Sequence, residues 1–202
     1  MKIKFCGMKT ISDIEAANAL HPDYIGFVLT AGFKRTISAE TAKELKASLA
    51  ADIKAVGVFV DEDIETVAAF VNNGTIDIAQ LHGKEDEEYI RKLRSLTDAE
   101  IIKAFRIKTG EDVKAAAASS ADHILLDAGT GEGRTFEWEL IKDIDRPYIL
   151  AGGLNTDNIA LAVEKLHPYG VDVSSGIETD GHKDIAKMEA FLHRLPLEAK
   201  PD

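Results

Sequence analysis

The 202-residue chain is 45% hydrophobic and 29% charged, an ordinary globular balance, long enough to bury one core without disulfides or a structural metal. A net charge of −11 excludes nucleic acid as a partner, since phosphate backbones are bound by basic surfaces. The single cysteine, Cys6, forms no internal disulfide, and no apolar run suits a signal peptide or a membrane span, so the chain reads as cytoplasmic with no membrane partner.

In chain order, short Val- and Ile-rich runs alternate with segments of helical period. Ile3–Cys6 reads as a strand. Ser12–Leu20 reads as a helix opened by a Ser12-x-x-Glu15 capping box. Strand Tyr24–Leu29 precedes helix Ala39–Ala50, and strand Ala55–Val60 precedes helix Ile64–Asn72. Strand Ile76–Leu81 leads to helix Glu85–Ser95, whose acidic start Glu85-Asp86-Glu87-Glu88 reads as a solvated first turn. Strand Ile101–Arg106 precedes helix Glu111–Ser119. Strand His123–Asp127 leads to the weakest helical segment, broken by Gly129, Gly131 and Gly133. Strand Tyr148–Ala151, helix Asn155–Leu166, strand Val171–Val173 and helix Asp184–Leu195 complete the series. The tail from 196 to 202, with Pro196 and Pro201, reads as frayed.

Eight strands alternating with helices imply parallel pairing and right-handed crossovers. Closure gives an α/β fold, a compact TIM-type (β/α)8 barrel, as one domain over residues 1–202. An open doubly wound sheet is the rival, but no G-x-G-x-x-G follows the first strand.

In such a barrel the chemistry lies at the C-terminal ends of the strands. Alternation puts Lys4 and Cys6 on one face of the first strand, and a cation below a thiol favours the thiolate that a general base needs. The plainer reading of Cys6 is a small buried hydrophobe. The sixth strand ends on Asp127, a candidate general acid if its pKa is raised, or else the opening residue of a turn. The loop after it, 128–136, reads as a mobile cover for a ligand. Gly152 and Gly153, with Asn155 as cap of the next helix, follow the seventh strand. Ser174, Ser175 and Gly176 follow the eighth. These are the usual phosphate loops of the fold, where small residues let backbone N–H groups approach an anion. Arg35 can fork onto a carboxylate. Gln80 and His82 share a face at the end of the fourth strand. The six histidines show no metal-ligand spacing, so no metal is expected.

These pieces, in this order, resemble the phosphoribosylanthranilate isomerase family over Lys2 to about Phe191. The resemblance is carried by Lys-Phe-Cys-Gly at 4–7, Gln-Leu-His-Gly at 80–83 and Leu-Leu-Asp at 125–127. Thr-Phe-Glu-Trp at 135–138, Ala-Gly-Gly-Leu at 151–154 and Val-Asp-Val-Ser-Ser-Gly-Ile-Glu at 171–178 complete it. It implies a cofactor-independent isomerase of tryptophan biosynthesis acting on a small phosphorylated substrate. By position, Cys6 matches the family's general base and Asp127 its general acid. Arg35 matches the arginine that holds the anthranilate carboxylate, and the amides around Gly153, Ser175 and Gly176 match the phosphate cradle. Phe33 stands where many members have Ser, and Phe5 where Ile is more usual.

Two alternatives stand beside this. The sister isomerase of histidine biosynthesis runs the same rearrangement on a substrate with two phosphates, and resembles a doubled barrel with two phosphate loops. Here only the second half has one, and Asp61-Glu62-Asp63 would repel phosphate. A non-catalytic sugar-phosphate-binding barrel would need the loops but neither Cys6 nor Asp127.

Overall fold

The structure, a computed structural model, describes residues 1–127 and 135–195. Eight strands form a closed barrel in sequential order: β1 (Lys2–Cys6), β2 (Tyr24–Val28), β3 (Lys54–Phe59), β4 (Ile78–Leu81), β5 (Glu100–Arg106), β6 (His123–Asp127), β7 (Tyr148–Ala151) and β8 (Gly170–Val173). All are parallel, and β1 closes the ring by pairing with β8, Lys4 opposite Asp172. The expected barrel is the observed one, and the open-sheet alternative is excluded by that closure.

Helices α1 (Ile11–Leu20), α2 (Ala39–Ala47), α3 (Ile64–Asn72), α4 (Glu87–Leu96), α5 (Gly110–Ala118), α6 (Thr135–Ile141), α7 (Ile159–Leu166) and α8 (Ile185–Arg194) cover the outside. A two-stranded hairpin, β9 (Glu178–Thr179) with β10 (His182–Lys183), sits between β8 and α8. Among the described residues, no helix is long and apolar enough to cross a membrane.

Strand alternation divides the interior into two cores. Phe5, Ile25, Phe27, Ile101, Ile124 and Leu126 belong to the layer packed against the helices. Val56, Ile78, Ile102, Leu125 and Ile149 fill the barrel itself. Burial on both faces explains why the strands read as nearly continuous apolar runs. The interior row continues upward into polar residues, and this places the site.

Three expected helix starts need correction. The first helix is capped two residues earlier than expected. Thr10 accepts from the Asp13 amide at 3.2 Å, and Asp13 accepts back from Thr10 N at 3.0 Å. Ser12 already lies in the first turn, so Ser12–Glu15 is not the capping box; Asp13 serves in place of the longer Glu. Glu85 is not part of a solvated turn either. It is buried, pairs with Lys103 at 3.0 Å and accepts from the amides of Asp61 and Gly83. Asp86 is the true N-cap of α4, accepting from Tyr89 N at 2.9 Å. The third case, Asn155, belongs to the site. Of the loop expected to cover a ligand, 128–136, residues 128–134 fall outside the described residues, as does the tail from 196, while 135 and 136 open α6.

Candidate active site

The interior row of β1 carries Lys4 and then Cys6. Lys4 is fully buried, and its Nζ donates to Asp172 Oδ1 on β8 at 3.0 Å. An ammonium that deep would lose its charge to burial, yet the carboxylate of Asp172 and the sulfur of Cys6 outweigh that and raise its pKa. Gly26 on β2 keeps this space open. A Cβ there would lie 2.7 Å from Cys6 Sγ and 3.1 Å from Lys4 Nζ.

The lysine was expected to lower the pKa of the Cys6 thiol. Burial wins and pushes it up, with Lys4 opposing and Asp172 adding to the rise. Lys4 divides its charge between Asp172 and the sulfur, so it compensates only part of the desolvation. Asp172 is thus the partner of Lys4.

Asp127 ends the interior row of β6. His82, at the end of β4, points its Nε2 to within 3.5 Å of Asp127 Oδ2. Gln80, two residues earlier on the same row, sets its amide 3.0 Å from His82 Nδ1. Gln80 is almost fully buried, and its other amide atom, Oε1, has no hydrogen-bond partner among the described residues. The three side chains therefore form a line, with Gln80 fixing the ring that faces the carboxylate.

The loops after β7 and β8 lie against each other, bridged between Asn155 and Gly176. Gly152 and Gly153 have φ of 93° and 66°, a region that residues with a Cβ rarely enter. Asn155 does not cap α7. Its Oδ1 accepts from Asp157 N at 2.8 Å and Asn158 N at 3.2 Å, making a turn that delays the helix to Ile159. Asn158 is the N-cap residue, with its side chain turned back to the carbonyl of Gly153 at 2.9 Å. Ser174 is already engaged inside the protein, donating through Oγ to Cys6 O at 3.0 Å. Ser175, next to it, is exposed at the mouth.

Arg35 rises from the β2–α2 loop with its fork closed on Glu178. Nε reaches Oε1 and Nη2 reaches Oε2, each at 2.7 Å. Lys183 adds a second cation at 2.8 Å from Oε1 and also donates to Ser174 O at 3.0 Å. Burial would raise the pKa of Glu178, but the two cations hold it down at about 2. Burial lowers the pKa of Lys183, with Glu178 opposing.

Glu178 and Lys183 were not singled out from the sequence as site residues. Glu178 closes the family-like stretch at 171–178, and that was its only signal. Lys183 lies on a two-residue strand too short to show a period.

The sequence profile of the family described as N-(5'phosphoribosyl)anthranilate (PRA) isomerase matches residues 3–194. The N-(5'-phosphoribosyl)anthranilate isomerase of Endomicrobium trichonymphae is 45% identical over 192 residues, covering 93% of this chain and 94% of that protein. The crystal structure of the phosphoribosyl anthranilate isomerase from Thermotoga maritima superposes with a TM-score of 0.88 at 34% identity, covering 96% of this chain and 98% of that one. A crystal structure of phosphoribosyl anthranilate isomerase in complex with reduced 1-(o-carboxyphenylamino)-1-deoxyribulose 5-phosphate gives 0.84 at 33% identity, covering 95% and 96%. Sequence and barrel agree, and the chain belongs to the N-(5'-phosphoribosyl)anthranilate isomerase family.

Proposed function

We propose that Cys6 and Asp127 divide the acid–base work of this family's reaction, with Arg35 and the loops after β7 and β8 holding the two anionic ends of the substrate. The reaction is an intramolecular aldose–ketose isomerisation of tryptophan biosynthesis. N-(5-phosphoribosyl)anthranilate rearranges to 1-(2-carboxyphenylamino)-1-deoxyribulose 5-phosphate. We assign it to the cytoplasm, where the pathway runs.

The chemistry asks for one acid and one base on either side of C1–C2. The carboxyl proton of Asp127 passes to the ribose ring oxygen as the C1–O bond breaks, leaving an iminium ion. That ion acidifies the C2 proton, which the Cys6 thiolate takes. The resulting enolamine gains a proton at C1 and settles as the ketone. Each such group contributes about 10²–10⁴-fold to the rate.

The observation that carries this reading is the placement of Cys6 and Asp127. They end the interior rows of β1 and β6, three strands apart one way round the ring and five the other. Lys4 beside the sulfur supports thiolate formation once substrate enters. His82 and Gln80 hold the Asp127 carboxyl. The amides around Gly152, Gly153, Ser175 and Gly176 take the phosphate, with the turn at Asn155 shaping that loop, and Ser174 fixes the loop to β1. Arg35 takes the anthranilate carboxylate.

The test is to mix the protein with freshly made phosphoribosylanthranilate and follow its fluorescence. Rapid loss that vanishes in Cys6→Ala supports the reading. Tight binding of a product analogue without turnover overturns it in favour of a sugar-phosphate-binding barrel.

A further inference from the structure

We propose that Glu178 is a positioning residue for the isomerisation: it aims the Arg35 guanidinium at the aryl carboxylate of the substrate, with Lys183 as its second anchor. This rests on the reading of Arg35 as the carboxylate-binding residue.

A guanidinium carries two edges on which it can form paired hydrogen bonds. In Arg35 the Nε–Nη2 edge is occupied by Glu178 at 2.7 Å on both bonds. Nη1 makes no hydrogen bond among the described residues, so the edge it shares with Nη2 is the one left for a ligand. Arginine otherwise loses much rotamer freedom when it binds, and fixing it in advance removes that cost from substrate binding. The stem is held as well. A Cβ on Gly7 would collide with Arg35 Cδ, so the chain lies directly over the residue after the base.

Glu178 is in turn fixed by Lys183, and Lys183 by the Ser174 carbonyl. Ser174 donates to the carbonyl of Cys6. A continuous line of bonds therefore runs from Arg35 to the main chain of Cys6. Arg35 belongs to an exposed loop, yet its charge is referenced to β1 and β8. The cluster of Arg35, Lys183 and Glu178 carries two positive charges and one negative, leaving one net positive charge for one carboxylate. Lys183 alone beside Arg35 would repel it.

The experiment compares kcat/KM for N-(5-phosphoribosyl)anthranilate with that for N-(5-phosphoribosyl)aniline, which lacks the carboxylate. The wild type should prefer the carboxylated substrate by roughly 10²-fold or more, because a site built for a polar group is left unpaired without it. Arg35→Met should bring the preference close to one. Glu178→Gln should cut it about tenfold, with turnover of the aniline substrate nearly kept. Because Glu178→Gln leaves Lys183 buried without its carboxylate, Glu178→Gln/Lys183→Met is measured beside it, and it should show the same loss of preference. Equal loss on both substrates in these variants would make Glu178 a merely structural ion pair and overturn the proposal. A preference that survives Arg35→Met would instead overturn the reading of Arg35 itself.

Discussion

The ammonium of Lys4 lies 3.0 Å from Asp172 Oδ1, in a barrel interior lined mainly by apolar side chains. The pair joins the first strand to the eighth and sits beside the Cys6 sulfur. Breaking such a pair strands a charge where no water can reach it. Asp172→Asn should therefore destabilise the protein by about 3–5 kcal/mol, read by denaturant unfolding, whereas Asp127→Asn should not. Replacing both partners, Lys4→Met with Asp172→Leu, should recover much of the loss. Unchanged stability in Asp172→Asn would remove the ion pair from the account of the barrel.

The same lysine governs the pH dependence. Burial raises the Cys6 pKa, so the thiol form prevails in the free enzyme near neutrality. The kcat/KM profile should accordingly rise with pH into the alkaline range. Lys4→Met removes the cation that favours thiolate and should move that limb further up. Activity on the lower limb then falls about tenfold for each unit of displacement. A limb that stays in place would mean that Lys4 does not act on the sulfur.

Cys6→Ala should lower kcat by about 10²–10⁴-fold while leaving the affinity for a reduced product analogue within a few-fold of wild type. Asp127→Asn should do the same, since it too removes a proton-transfer group and keeps the shape of the site. Calorimetric titration with the analogue separates the two effects. Parallel loss of binding and turnover would remove either residue from its acid or base role.

Glu178 makes a prediction at low pH. Its pKa falls from 4.5 to about 2 in the folded protein. A carboxylate so depressed adds stability that is fully present above pH 4.5 and is lost as the pH falls towards 2. The stability gap between wild type and Glu178→Gln should narrow across that window. A gap independent of pH there would mean that Glu178 is not held ionised by Arg35 and Lys183.

The fold was legible because each β/α unit buries two faces of its strand and one of its helix, which leaves a strong apolar period in the sequence. Cys6, Asp127 and the loop glycines were legible because strand ends and small-residue pairs have local signatures. What the sequence hid is pairing at long range. Nothing local separates Glu85, buried against Lys103, from its solvated neighbour Glu88. The bonds of Glu178 to Arg35 span 143 residues and have no local trace. The sign of the Cys6 shift was misjudged for a related reason. It depends on how burial compares with a cation already shared with Asp172, and alternation along one strand reports neither.

Lys4 with Asp172 and Ser174 with Cys6 cross the seam where β8 meets β1, and Arg35 with Glu178 ties the β2–α2 loop to the hairpin after β8. A folding intermediate with seven strands in place would hold most of the hydrophobic core and none of these contacts. Catalytic competence is then the last property the molecule acquires. It makes recovery of turnover a sharper clock for ring closure than any signal from helices or aromatic side chains.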